Sequence, residues 1–331
     1  MSAGTGVGSM PGEDVRESLR VVRGEVGDLV FVPELPTRGP QAGMVGRGLA
    51  VLAGLEGDLQ PGGWRLGVGS GRDLRRARSL LTQDLDAAEE VLTDHAGRLK
   101  VQVAGPLTLA AQVETARGDK LVSDHGARRE VAESLAEGLS AHVADVRRRF
   151  GWAEQLVVQV DEPSITAVLS GAVPTASGLG RHRTVHASEA TELLRLVAHA
   201  ITDAGARPVV HSCAPDVPVA LLGGAGFAAV SFDASLADPD DSWSEAFEAG
   251  VDLWPGVVPS LDADVTDADL RRRVERIFDR LGFDEDTYAP RTVVTPTCGL
   301  AGASPAWARR ALSLAQRVAD ASARTGETRD R

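Results

Sequence analysis

Short, nearly continuous apolar runs alternate with longer stretches of helical spacing along the whole chain. Eight runs read as strands: 4–9, 29–34, 99–105, 155–162, 207–213, 227–233, 251–258 and 291–297. Between them lie Ala-, Leu-, Arg- and Glu-rich segments whose apolar residues recur every three or four positions. The clearest are 129–150, 188–205, 267–282 and 304–324. Strands with little in–out alternation are buried on both faces, which implies a parallel sheet between helices. Eight such units in 331 residues predict a single-domain (β/α)8 TIM barrel over residues 1–323, with a frayed, disordered tail at 324–331. The gap between the second and third strands is long. It holds a helix near 75–96 and the segment "LGVGSGRD" (66–73), which reads as a turn or an extra short strand. That segment is glycine-rich but lacks the spacing and the following acidic residue of a dinucleotide-binding loop.

Composition narrows the function classes. The chain is 43% hydrophobic, enough for a large core, and carries a net charge of −12. That charge argues against nucleic acid and anionic membrane surfaces as partners. No apolar run approaches the roughly 18 residues of a membrane span. The N-terminus lacks a cationic stretch followed by an apolar one, so a cytoplasmic location is expected. Only 2 cysteines are present, Cys213 and Cys298, 85 residues apart. In a reducing compartment such thiols are ligands, catalytic groups or core residues rather than a disulfide.

In a parallel barrel the chemistry sits at the C-terminal ends of the strands. Those ends carry Ser9, Glu34, Asp161 with Glu162, His211 with Cys213, Asp233, and finally Cys298. Barrel closure therefore brings both cysteines to one rim. His211, Cys213 and Cys298 form a nitrogen–sulfur–sulfur donor set that suits zinc, and Asp233 offers an oxygen as fourth ligand. Each residue alone has a plainer explanation: a His-x-Cys pair is commonly a core thiol beside a satisfied histidine, and a lone cysteine a small hydrophobe. Their joint placement favours a metal. Arg38, Arg47 and Arg72, the only early cations that could serve a polyacidic substrate, read as surface charges.

The ordered set "GVGSMPG" (6–12), "AGPLTLA" (104–110), "VQVDEPS" (158–164), "HSCAP" (211–215) and "TPTCGL" (295–300) resembles the catalytic barrel of the cobalamin-independent methionine synthase family. The resemblance implies Zn2+ held by His211, Cys213 and Cys298. The stretch "FDAS" places Asp233 where the family has a glutamate ligand, one methylene longer. It also implies that Ser9 and Asp161 hold the carboxylate and amino groups of homocysteine, with Glu34 as a second amino-group contact. The implied activity is S-methyl transfer to homocysteine or a similar small thiol activated as a zinc thiolate, with no protein side chain assigned as catalytic.

Two departures stand out. The family's folate-using members carry an additional N-terminal half and a proton-donating histidine after strand seven. Here strand seven runs into "GVVPSLDAD" (256–264), whose polar groups are Ser260, Asp262 and Asp264. The methyl donor expected on this ground is a corrinoid, free or carried by a corrinoid protein, rather than methylfolate. The competing expectations are a lyase resembling uroporphyrinogen decarboxylase and a zinc- and thiol-binding paralogue without methionine synthase activity.

Overall fold

The computed structural model describes residues 3–67 and 69–329, with 322–329 as backbone alone. Ten strands occur among the described residues: β1 (Ala3–Gly4), β2 (Leu29–Phe31), β3 (Gly57–Gln60), β4 (Gly63–Leu66), β5 (Gly97–Ala104), β6 (Ala153–Asp161), β7 (Arg207–Ser212), β8 (Ala229–Asp233), β9 (Asp252–Val258) and β10 (Val293–Pro296). Eight form one parallel sheet in the order β1-β10-β9-β8-β7-β6-β5-β2. The seam between β1 and β2 is closed by a parallel bridge between Ser9 and Glu34, with Glu34 N donating to Gly8 O at 3.1 Å and Met10 N to Glu34 O at 2.9 Å. The result is the expected (β/α)8 barrel. None of its described helices is long and apolar enough to cross a membrane.

The helices follow the predicted stripes. His125–Arg149, Ala187–Asp203, Asp267–Leu281 and Pro305–Arg329 turn their apolar faces onto the sheet. The last carries helical backbone into the stretch expected to fray; residues 330 and 331 lie outside the described residues. The long gap between β2 and β5 holds an antiparallel β3–β4 hairpin and the helix Arg72–Val91. The extra strand thus lies upstream of 67–73, whose glycines turn the chain into that helix; Val68 within it lies outside the described residues.

Inside the barrel, the lower layer is apolar: Leu29, Val157, Val209, Ala229, Trp254 and Val293 pack with Ala3. Above it the layer is polar. Thr5, Lys100, Gln102, Gln159, Ser231 and Thr295 are all buried. This layer explains why β1 is only two residues long where six were predicted. The Val7 carbonyl accepts Lys100 Nζ at 2.7 Å and Gln159 Nε2 at 2.8 Å instead of joining a strand ladder. A Cβ on Gly6 would lie 2.4 Å from the Phe31 ring, so only glycine permits this close passage.

Glu162 has a structural task. Its buried carboxylate accepts Leu107 N at 2.9 Å, Thr108 N at 2.7 Å and Thr108 Oγ1 at 2.7 Å, so it seats the first turn of the helix Pro106–Gln112 against β6. A carboxylate is favoured at that end of a helix. A Cβ on Gly105 would meet Glu162 Oε1 at 2.2 Å. Burial nevertheless pushes the Glu162 carboxyl up to about 7, against the pull of these hydrogen bonds. A carboxyl raised in the folded state stabilises below its unfolded pKa and loses that contribution as pH rises through the folded value. Unfolding free energy is therefore expected to fall as pH climbs from about 4.5 to about 7, and Glu162→Gln to flatten the slope. Denaturant melts across that range check this; a slope unchanged in the variant would place the linkage on another group.

Candidate metal centre

Barrel closure answers for the two cysteines. Cys213 directly follows β7 and Cys298 follows β10, and their Sγ atoms lie 3.0 Å apart as free thiols. His211, on β7, completes a group whose three donor atoms all fall within 4.8 Å of one another. The His211 Nδ1 is 2.9 Å from Ser231 Oγ on the neighbouring strand. That bond orients the ring and leaves Nε2 buried with no hydrogen-bond partner among the described residues. A buried nitrogen left bare is costly unless something binds it. The hydrogen bond from Cys213, helped by His211, holds Cys298 down to about 4, and Cys213 is pushed up through the same contact. A bare imidazole nitrogen beside a thiol–thiolate pair is a donor set that fits zinc.

Asp233 does not join this group. At the end of β8 its Oδ1 accepts Ser235 N at 2.8 Å and Ser235 Oγ at 2.6 Å, closing a tight turn. The shorter side chain satisfies its own loop instead of reaching the cluster. Three protein donors are thus gathered among the described residues.

The remaining candidates line the rim beside the cluster. Asp161 ends β6 and pairs in register with His211 on β7. Its Oδ1 accepts Gln159 Nε2 at 2.7 Å. Burial, reinforced by the charge of Glu34, raises its carboxyl well above the usual range. Glu34 is raised too, chiefly by burial and against the pull of Arg47, whose Nε lies 3.4 Å from Glu34 Oε1. Ser9 packs on the Cys298 loop: Leu300 N donates to Ser9 O at 2.8 Å, and a Cβ on Gly299 would meet Ser9 Oγ at 2.0 Å.

Two of the three arginines read as surface charges are not. Arg47 is buried and Arg38 half-buried; both grip Asp84, Arg38 through two contacts of 2.8 and 2.6 Å and Arg47 through one of 2.6 Å. Arg72 is exposed, as expected. Lys100, Gln102, Gln159 and Ser231 support the site but were not singled out in the sequence. The available signal was their period-two spacing with Asp161 and Asp233 in "KVQVA", "VVQVD" and "VSFD". Burial lowers Lys100 to about 8, opposed by the charges of Asp161 and then Glu34. Glu34 Oε1, Gln102 Oε1 and Gln159 Oε1 are buried without hydrogen-bond partners among the described residues, as is Thr295 Oγ1.

The strand-seven rim offers no poised acid among its bonded groups. Asp262 accepts Ser304 N at 2.9 Å and Ser304 Oγ at 2.5 Å, which keeps its carboxyl below the ordinary value and so ionised. Ser260 N donates to Thr297 Oγ1 at 3.2 Å. If Asp233 serves only its turn, Asp233→Ala should retain most of any bound zinc, whereas His211→Ala should lose it. Metal content of the two purified variants checks this, and equal loss in both would put Asp233 in the coordination sphere.

Comparison with known proteins bears on the fold and the family. Among solved structures, a B12-independent methionine synthase from Shewanella sp. W3-18-1, in complex with selenomethionine, is similar with a TM-score of 0.63 at 12% identity; the match covers 97% of this chain and 98% of that one. A GH5_18 protein from Streptomyces cattleya in complex with GlcNAc matches with a TM-score of 0.47 at 15% identity, over 99% of this chain and 81% of that one. No curated protein matches the chain. The family model described as the catalytic domain of the cobalamin-independent synthase matches residues 81–321, a span that holds Asp161, His211, Cys213, Asp233 and Cys298 and leaves out Ser9 and Glu34. The chain belongs to the cobalamin-independent synthase catalytic-domain family.

Proposed function

We propose that this barrel is a zinc-dependent thiol S-methyltransferase whose acceptor is homocysteine or a closely similar thiol amino acid. The observation that carries the reading is the side-by-side placement of two unlike subsites. His211 Nε2, Cys213 and Cys298 gather donors for a soft metal. Beside them, with Asp161 in register with His211, Asp161 and Glu34 form a buried carboxylate pair faced by Lys100, with Arg47 3.4 Å from Glu34. Glu34 Oε1 is buried without a hydrogen-bond partner among the described residues, and an amino acid's ammonium group is a donor that would answer it.

Zinc held there would supply the Lewis acidity that keeps a substrate thiol ionised at neutral pH. Asp161 and Glu34 orient the ammonium group, and Ser9 Oγ is available to the carboxylate. The substrate sulfur then forms its bond to the donor's methyl carbon as the bond from that carbon to the donor breaks, with the electron pair leaving on the donor. Alignment of the reacting partners provides much of the rate. A nitrogen-bound methyl leaves only after protonation; a methyl on a corrinoid needs no such step. With Asp262 ionised and no histidine at that rim, a methyl-corrinoid, free or protein-bound, is the favoured donor and methylfolate the alternative. The setting proposed is the cytoplasm.

Purified protein is expected to hold about one zinc per chain, and Cys298→Ala to lose most of it while staying folded. Elemental analysis with circular dichroism decides it: wild-type protein that is fully folded and metal-free, prepared without chelators, sinks the reading. For the acceptor, Asp161→Asn should weaken homocysteine binding by about 1–3 kcal/mol, the usual cost of losing a charged hydrogen-bond partner, and leave ethanethiol binding unchanged. Calorimetric titration compares the two, and equal affinity of wild type for both thiols would count against an amino-acid site. For the donor, methionine formation is expected to run faster with methylcobalamin than with methylfolate triglutamate; the reverse order would reveal a proton donor other than the strand-seven rim.

A further inference from the structure

Glu34 is faced by an arginine that does not bond it. Arg47 stands on the helix Met44–Val51 and is as buried as Glu34 itself, at 4% against 3% exposure. Its Nε lies 3.4 Å from Glu34 Oε1. Both atoms are nonetheless buried without a hydrogen-bond partner among the described residues. A hydrogen bond weakens steeply with distance and misalignment, whereas the attraction between two charges falls off slowly. Arg47 therefore supplies charge to Glu34 without occupying its oxygen.

The reason Arg47 stops short lies on the next helix. Its Nη1 donates to Asp84 Oδ2 at 2.6 Å. Asp84, on Arg72–Val91, is fully buried and is itself clamped by Arg38, whose two nitrogens reach Oδ1 at 2.8 Å and Oδ2 at 2.6 Å. One end of the Arg47 guanidinium is thus anchored away from Glu34. The other charged groups nearby leave the task to Arg47. Burial raises Glu34, and Arg47 is the largest influence against it, ahead of Gln102 and Lys100; Asp84 adds to the rise. Lys100, on β5, donates to the Val7 carbonyl at 2.7 Å. Asp161, on β6, is raised by burial and then by the charge of Glu34. Burial, and then the charge of Arg47, hold His142 on the helix His125–Arg149 down to about 4, so it adds no cation near neutral pH.

We propose that Arg47, anchored by Asp84, is a positioning residue of the amino-acid site: it neutralises Glu34 from behind and leaves Oε1 open to the substrate's ammonium group. A carboxylate left alone at this depth takes up a proton and loses its charge for the ammonium group. A carboxylate already bonded to an arginine must be released before it can accept another donor. Arg47, held at 3.4 Å, avoids both outcomes. The substrate role rests on the thiol amino-acid reading; the hold of Arg47 on Glu34 does not.

The test uses the full, zinc-loaded chain and two thiols: homocysteine and γ-mercaptobutyrate, which lacks only the amino group. In calorimetric titration at neutral pH, Arg47→Gln should weaken homocysteine by about tenfold, the scale of a charged hydrogen bond, and leave γ-mercaptobutyrate within about twofold. The glutamine can still donate to Asp84, and Arg47→Lys, which keeps the charge, should retain most of the preference for homocysteine. The loss in Arg47→Gln should shrink as pH rises from about 6.5 to about 8.5, because Glu34 without Arg47 holds its proton to higher pH and regains the ammonium contact once ionised. A loss equal for both thiols, or constant across that range, is a packing defect and overturns the proposal. Full preference retained in Arg47→Gln overturns it and leaves the amino-acid reading intact. A measurement without thiol isolates Glu34 itself. Carbon-13 NMR of labelled glutamate carboxyls, with Glu34 assigned through Glu34→Gln, should show its titration midpoint higher in Arg47→Gln than in wild type. An unmoved midpoint overturns the role of Arg47 whatever the thiols do. Wild-type protein that binds both thiols alike sinks the amino-acid reading and the substrate role with it, and a moved midpoint then leaves only the hold of Arg47 on Glu34 standing.

Discussion

The carbonyl of Val7 is the acceptor on which the upper half of this barrel is hung. Lys100 Nζ and Gln159 Nε2 both donate to it, at 2.7 and 2.8 Å. A buried carbonyl must find partners, and here it takes them from side chains instead of the neighbouring strand. β1 is cut short as a consequence, and the chain rejoins β2 only at the Ser9–Glu34 bridge, at the rim. The same Gln159 nitrogen donates to Asp161 at 2.7 Å. One backbone group thus fixes the seam that carries Ser9 and Glu34 and, through Gln159, the carboxylate on β6.

That arrangement sets the electrostatics. Asp161 and Glu34 are raised chiefly by burial, and Lys100 is lowered by it. Charged groups so placed are expensive unless compensated, and Lys100 and Arg47 supply that compensation from within. Arg47 assists Glu34 from behind, but Asp84 holds both Arg47 and Arg38. Those arginines brace the wall behind the polar layer. The same logic removes them as hands for a polyacidic substrate, the requirement of the uroporphyrinogen-decarboxylase-like alternative.

Much of this was legible in the sequence because a parallel barrel translates strand order into rim position. "VVHSC" and "VVTPTC" announce apolar strands ending in donors, and closure does the rest. What could not be read were the places where a side chain answers a local need. Asp233 looks like a ligand by position, yet "DAS" lets it satisfy its own turn through Ser235. Glu162 looks like a second rim carboxylate, yet it seats a helix that begins more than fifty residues earlier. Arg38 and Arg47 look like solvated charges until the helix Arg72–Val91 brings Asp84 between them. These arrangements have one cause: periodicity says which face a residue occupies, not which partner the fold delivers to it.

The decisive feature is the register between β6 and β7. Asp161 pairs with His211, so the acid end and the metal end of the rim sit on adjacent strands at the same height. A one-residue slip of either strand would turn its own inward side chain outward, because the side-chain period of a strand is two. The spacing between an ammonium subsite and a sulfur subsite is therefore set by the hydrogen-bond ladder of the sheet, with little dependence on loop conformation. On the proposed methyltransferase reading, a ligand that satisfies both ends must carry its amine and its sulfur on one short chain, which neither an alkyl thiol nor a sulfur-free amino acid does.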